Sequence, residues 1–295
     1  MPLVSVVVAT YRRESELKRA LKSLAGQTMD AFEIILVDDN DQPEWNEKIR
    51  KIAADFQLQH ENIPLTYVED HPNLGSAGAR NAGIAVAKGE YVTFLDDDDE
   101  YLPEKLAAQY GFMVENALDY SLTELALYFD DGKLSEHRTR EYVKKTDVAS
   151  LLKYHMLYHL TGTDTMMFRR DYLNKIGCFA AINVGDEFYL MERAIRGGGK
   201  FDCLARCDVK AYVHTGEGGL SSGQGKINGE NRLYEYKKQF FGELDRKSVR
   251  YIRMRHHAVL AFAFIRQKKT VKFVKEAALA WMSAPVACVK LFLHR

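Results

Sequence analysis

Three apolar runs in the first third of the chain break off abruptly into polar residues, and this pattern constrains the fold more than anything else in the sequence. Leu3 to Ala9 runs into Thr10-Tyr11-Arg12, Ile34 to Val37 into Asp38-Asp39, and Tyr91 to Leu95 into Asp96-Asp97-Asp98-Asp99. A strand buried on both faces reads as such an unbroken run. Between the runs, Leu17, Leu21 and Leu24 recur at helical spacing, and Ser76 to Ala87, rich in alanine and glycine, predicts a helix lying close to a sheet. Leu65 to Val68 predicts a further strand, and Pro103 suits the first turn of another helix. Strands and helices in alternation predict an α/β fold, a Rossmann-like, mostly parallel sheet with helices on both faces. Ligands of such sheets bind beyond the carboxyl ends of the strands, and the three polar clusters all fall on that rim.

The second half is less regular. Leu122 to Phe129 and the polar stretch after Asp130-Asp131-Gly132-Lys133 predict a hairpin, Asp147 to Leu160 a helix, and Thr165 to Phe168 a short strand. Gly185 precedes a helix carrying Asp186, Glu187, Leu190 and Arg193, and Val209 to Val213 is a strand ending at His214. Gly216 to Gly229, rich in glycine and serine, is expected to be mobile, with two or three basic helices after it. The formal net charge of zero hides an asymmetry: residues 226–295 carry sixteen Lys and Arg against five Asp and Glu. An acidic body with a basic tail predicts two jobs, divided between residues 1–225 and a helical extension, 226–295.

Sparse cysteines (Cys178, Cys203, Cys207 and Cys288) argue against a disulfide framework, and the spacing of Cys203 and Cys207 lacks the second close pair a zinc site needs. His155 and His159 have zinc-like spacing but are read as part of a helix face. The amino terminus has no basic flank and only a short apolar run, so it reads as a core strand rather than a leader. No window holds about twenty uninterrupted apolar residues, so no spanning helix is expected. A cytoplasmic protein follows as the expectation.

Four consecutive aspartates repel one another unless a cation sits among them, and hard oxygen ligands suit Mg²⁺ or Mn²⁺. Read on residue type alone, the cluster is equally compatible with a solvated loop in which Asp99 or Glu100 caps a helix.

Taken in order and spacing, Val8-Ala9-Thr10-Tyr11-Arg12-Arg13, Val37-Asp38-Asp39-Asn40, Asn73 to Gly83 and Phe94 to Pro103 resemble the family 2 glycosyltransferases of GT-A fold. The resemblance covers about the first 110 residues, continues more weakly to about His214, and leaves the last stretch uncovered. It implies inverting transfer of a sugar from a nucleotide diphosphate donor, with uracil as the base. Thr10, Tyr11, Arg12, Asp39, Gly75, Arg80, Asp96 and Asp97 would lie along the nucleotide-sugar site, Asp39 accepting from the base and Arg80 near the ribose or diphosphate. Asp96 and Asp98 match the DxD motif and, with His214, would hold Mn²⁺ or Mg²⁺.

Inverting transfer also needs a carboxylate that takes the acceptor hydroxyl proton from the face opposite the leaving group. The resemblance supplies it from Asp186-Glu187, though the family order is Glu-Asp. Spacing from Arg193 favours Glu187 and residue type favours Asp186, and of the pair Asp186 is the expected base. The acceptor would be a glycan or a lipid-linked one in cell-surface polysaccharide synthesis. Basic helices interleaved with Val259, Phe262, Val271, Val274 and Trp281 would meet an anionic membrane surface at its inner face, pack on the body, or pair two copies. Nucleic acid is excluded as a partner by the acidic body. A nucleotidyltransferase would carry a glycine- and lysine-rich loop after the first strand, which Thr10 to Ser15 lacks. A non-catalytic nucleotide-sugar binder would lack the acidic pair or His214.

Overall fold

A computed structural model describes residues 2–69, 72–129, 131–182, 185–213 and 223–293, the side chains of 223, 292 and 293 excepted. Two compact units emerge: Met1–Leu151 with Leu160–His214, and Leu152–His159 with Thr215–Arg295.

In the first unit the strands are β1 (Val4–Thr10), β2 (Phe32–Asp38), β3 (Leu65–Glu69), β4 (Tyr91–Phe94), β5 (Glu100–Tyr101), β6 (Tyr120–Leu122), β7 (Leu125–Phe129), β8 (Leu134–Arg138), β9 (Met166–Arg169), β10 (Phe201–Cys203) and β11 (Val209–Val213). Seven of them form one sheet in the order β10-β6-β9-β4-β1-β2-β3, and β5-β11-β7-β8 form a second. In the large sheet β4, β1, β2 and β3 run parallel, and β9 enters antiparallel between β4 and β6. This is the parallel-rich α/β sheet that the apolar runs predict.

Helices α1 (Ser15–Ala25) and α2 (Pro43–Gln59) bury Leu17, Leu21, Leu24, Ile49, Ile52 and Phe56 in one cluster with Val4, Val6 and Val8 of β1. On the other face lies α3 (Gly75–Val86), where a Cβ on Gly83 would stand 2.4 Å from a methyl of Val7. The predicted close approach of this helix to the sheet therefore rests on Gly83. Next come α4 (Lys105–Glu115), α5 (Val148–Tyr158), α6 (Arg170–Lys175) and α7 (Asp186–Arg196). Pro103 sits in the turn before α4, where Lys105 N–H closes on the Leu102 carbonyl at 3.0 Å, rather than in its first turn.

The hairpin is β7–β8, but Leu122 leaves it for β6, because residues 120–122 pair with β9 and β10 instead. His155 and His159 do not share a helix face: α5 stops at Tyr158, and His159 has φ +59°.

The second unit contains α8 (Gly223–Lys238), α9 (Arg246–Arg266), α10 (Thr270–Ser283) and α11 (Pro285–Leu293). Residues 223–229, expected to be mobile, form the first turns of α8. Ile227 is buried against Leu260 and Ala263 of α9, and that packing outweighs the poor helix propensity of glycine. Residues 152–159 join this unit because Lys237 Nζ donates to the Met156 carbonyl at 2.8 Å and Arg255 to that of Leu157 at 3.0 Å. The division thus lies ahead of residue 225. Among the described residues no helix is long and apolar enough to cross a membrane.

Candidate active site

Strand register sets the rim. Thr10 pairs with Asp38, and Val7 with Phe94, so the ends of β2, β1 and β4 stand side by side. Asp38 is spent on structure. Its carboxylate accepts from Asn40 N–H (3.0 Å), Asn40 Nδ2 (2.6 Å), Asn46 Nδ2 (3.0 Å) and Tyr67 O–H (2.7 Å). Asn40 in turn accepts from Arg12 N–H at 2.9 Å, holding Arg12 at φ +53°. Tyr11, left exposed beside that turn, lies 4.9 Å under the Arg12 guanidinium. Asp39 is buried, and its Oδ1 accepts from Leu74 N–H at 2.7 Å, which ties β2 to the segment entering α3 at Gly75 (φ +70°).

The four aspartates form a turn, closed by Asp99 N–H on the Asp96 carbonyl at 3.1 Å. Such a turn brings the Cα atoms of its first and fourth residues within about 7 Å of each other. Asp97 points back to β1, accepting from Thr10 O–H at 2.8 Å and Tyr11 N–H at 3.2 Å. Burial pushes its carboxyl up to about 7 against the pull of Arg13. Asp98 is ion-paired with Arg13. Asp96 and Asp99 meet Asp164, which precedes β9, and ligand oxygens of the three lie within 4.8 Å of one another.

Asp164 Oδ1 accepts from Asp96 N–H at 2.6 Å, and Asp99 Oδ1 from Tyr212 N–H at 2.9 Å. Burial first, then neighbouring carboxylates, pushes Asp164 up to about 7, and Asp99 rises for the same reasons. Buried, converging carboxylates held in this way share protons unless a cation replaces them. An all-oxygen set of this kind fits Mg²⁺ or Mn²⁺. Of the residues expected at the metal, Asp96 is in the cluster, Asp98 faces Arg13, and His214 lies outside the described residues. Asp164 was not anticipated. A lone acid directly ahead of the apolar run Thr165 to Phe168 was its available signal.

A second constellation adjoins the first. Arg80, buried on α3, donates from Nη2 to Asp96 at 2.6 Å and from Nη1 to Asp186 at 2.8 Å, with its Cζ 5.5 Å from the Phe179 ring centroid. Burial opposes its charge, but Asp96 and Asp186 outweigh that and raise its pKa. Asn81 fixes Phe179 by accepting from its N–H and donating to its carbonyl, both at 2.9 Å. Gly185 (φ +76°) starts α7, whose first turn carries Asp186 and Glu187. Asp186 also accepts from Ser76 O–H at 3.3 Å. Glu187 hydrogen-bonds Asp186, and burial followed by the Asp186 charge pushes it up to about 8. The four cysteines are free thiols, and among the described residues none belongs to a metal-competent group.

A parallel-rich α/β sheet with helices on both faces and an acidic turn at its carboxyl rim is the architecture of the GT-A class. The chain belongs to glycosyl transferase family 2, whose model matches residues 5–177. It is 31% identical over 239 residues to an uncharacterized glycosyltransferase of Methanocaldococcus jannaschii, covering 80% of this chain and 77% of that one. Over 131 residues it is 34% identical to a Bacillus subtilis glycosyltransferase named for teichuronic acid biosynthesis, covering 44% of this chain and 50% of the relative. Its fold resembles S. aureus TarS 1–349, solved in complex with UDP-GlcNAc (TM-score 0.60, 17% identity, 96% of this chain and 91% of that one). It also resembles a Pyrobaculum calidifontis mannosyltransferase solved with GDP-Man and Mn²⁺ (TM-score 0.56, 17% identity, 99% and 79%).

Proposed function

We propose that this chain performs inverting transfer of a sugar from a UDP-linked donor to a glycan or lipid-linked acceptor in cell-surface polysaccharide synthesis, with Mn²⁺ or Mg²⁺ as cofactor. The observation that carries the reading is the meeting of Asp96, Asp99 and Asp164 beside the Arg80–Asp186 pair. A relative named for teichuronic acid biosynthesis and a fold neighbour solved with UDP-GlcNAc support the choice of pathway and donor.

In this reading Thr10, Tyr11, Arg12 and Asp39 receive the nucleoside at the ends of β1 and β2. Asp97 holds Thr10 and Tyr11 in place for that task, and Gly75 lets the chain turn into α3. Asp96, Asp99 and Asp164 hold the cation, with Asp98 and His214 as the further ligands that the resemblance implies. When bound there, the cation supplies positive charge to the departing diphosphate. Arg80 adds a fixed charge on the same side. Glu187 takes the proton from the acceptor hydroxyl, because Asp186 is already engaged by Arg80 and Ser76 and serves to orient its neighbour. The place of work is the cytoplasmic face of a membrane, met by the basic helices of the second unit.

A panel of nucleotide sugars screened by thermal shift and by donor hydrolysis, with Mn²⁺ and with EDTA, tests the reading. Stabilisation by a UDP-sugar and hydrolysis only with the metal are the expected results. Undiminished turnover in EDTA would remove the metal, and no response to any nucleotide sugar would remove the function.

A further inference from the structure

Amphipathic helices of a bundle ordinarily turn their large apolar residues inward. Helix α10 leaves four of its large apolar residues outside instead. Its most buried residue is small, Ala280 lying fully buried in a cluster with Met254, Ala258 and Cys288, while Phe273 and Leu279 are half-buried. Polar links also tie it to α9: His257 to Glu276 at 2.7 Å, and Arg250 Nε to the Ser283 carbonyl at 2.8 Å. Val271, Val274, Trp281 and Met282 face away from that contact, with exposures of 85%, 58%, 52% and 68%. Their spacing puts them, with Ala278, on one helix face. Val286 of α11, 72% exposed, extends the apolar area.

Lysines border this stripe. Lys268, Lys269, Lys272, Lys275 and Lys290 are all exposed. The one acid between residues 266 and 295 is Glu276, already held by His257. A second copy docking here would bring two rows of lysines together, so charge disfavours self-association. An apolar stripe with a wide basic border matches a bilayer surface that carries anionic headgroups.

We infer that the outward face of α10 and the start of α11 insert into the headgroup–acyl boundary of an anionic membrane, so that α10 lies parallel to the surface. This deepens the membrane part of the function proposed above. Adhesion by charge alone would need only the lysines. Insertion makes Val271, Val274, Trp281, Met282 and Val286 the determinants, with the lysines selecting the lipid. The inference is independent of the transfer chemistry, since donor hydrolysis reads the first unit and vesicle binding the second.

The test is co-sedimentation of the full chain with phosphatidylcholine vesicles, with and without about 30% phosphatidylglycerol, at physiological salt. The parent chain is expected to prefer the anionic vesicles by at least about tenfold. A Val274→Ser, Trp281→Ser, Met282→Ser chain is expected to lose about tenfold or more of that binding, with an unchanged circular dichroism spectrum and unchanged donor hydrolysis. In a Trp45→Phe background, Trp281 emission should shift to the blue on anionic vesicles. Three results would overturn the inference: no binding to anionic vesicles, full binding by the triple variant with loss only on replacing the lysines by glutamine, or a dimer in sedimentation that the triple variant abolishes while vesicles are ignored.

Discussion

Arg80 and Asp186 are joined by a 2.8 Å ion pair between two buried side chains, one on α3 and the other on the first turn of α7. The same guanidinium reaches Asp96, so one cation ties the carboxyl rim of the sheet to the acidic pair. Replacing it leaves two carboxylates facing each other without a counter-ion. Arg80→Met is expected to destabilise the fold by about 3–5 kcal/mol, measured by urea denaturation. Transfer should fall at least about a hundredfold even below the melting temperature. Arg80→Lys, with a single point of donation, should recover stability better than activity.

Asp186 and Glu187 should separate by pH and by substitution. Glu187 is pushed up to about 8 by burial and by Asp186, and a base works only when ionised. The rate should therefore climb with rising pH and level off above about 8. Glu187→Gln should lower kcat by about 10²–10⁴-fold, flatten that limb, and leave donor binding intact in a thermal-shift titration. Asp186→Asn should also loosen Arg80 and lower the melting temperature. Loss of the pH limb in the Asp186 variant alone would reverse the assignment.

Asp164 offers a test of the cation set that the four-aspartate turn cannot give by itself. Asp164→Asn is expected to raise the Mn²⁺ concentration for half-maximal donor hydrolysis by at least about tenfold. Asp98→Ala should abolish transfer if Asp98 leaves Arg13 to join the cation. Asp97→Asn, by contrast, should act mainly on the nucleotide end, raising the KM for donor, because Asp97 holds Thr10 and Tyr11.

Lys105 is fully buried at the start of α4, where it bonds Gln109 and lies 4.6 Å from the Tyr101 ring centroid. Burial lowers its pKa to about 7, with Asp164 and Asp208 pulling the other way. Between about pH 7 and the ordinary lysine value, the unfolded chain binds a proton that the folded chain does not. Stability should therefore rise with pH across that window, by up to about 1.4 kcal/mol per unit. Burial lowers Lys237 to about 7 as well, so Lys105→Met should reduce this slope rather than abolish it, and should be the more stable chain at pH 7, as read by denaturation at pH 8 and pH 9.

The strands and the rim were legible because each of β1, β2 and β4 is a local apolar run with a polar stop, and a parallel sheet needs no more than that. The close approach of α3 to the sheet was legible in its alanine and glycine content, though which glycine carries it, Gly83, was not. What each aspartate of the turn does was not legible. Four identical neighbours are told apart by distant partners: Thr10 and Tyr11 take Asp97, Arg13 takes Asp98, and Asp164 meets Asp96 and Asp99. Asp164 was hidden for a different reason: its place depends on β9 entering the sheet backwards between β4 and β6, a pairing that no local pattern announces. In α8 the glycines suggested a loose segment, whereas Ile227 finds a buried seat on α9.

That reversed strand also sets the order in which the site can come into being. Asp96 and Asp164 are sixty-eight residues apart, yet the backbone N–H of one is bonded to the carboxylate of the other. A nascent chain that has just emerged with its four aspartates has a sheet edge and a surplus of negative charge, but no complete nest for a divalent ion. If the proposed cation binds there, it would be tightly held only once β9 has docked, and metal uptake would then report that this half has matured.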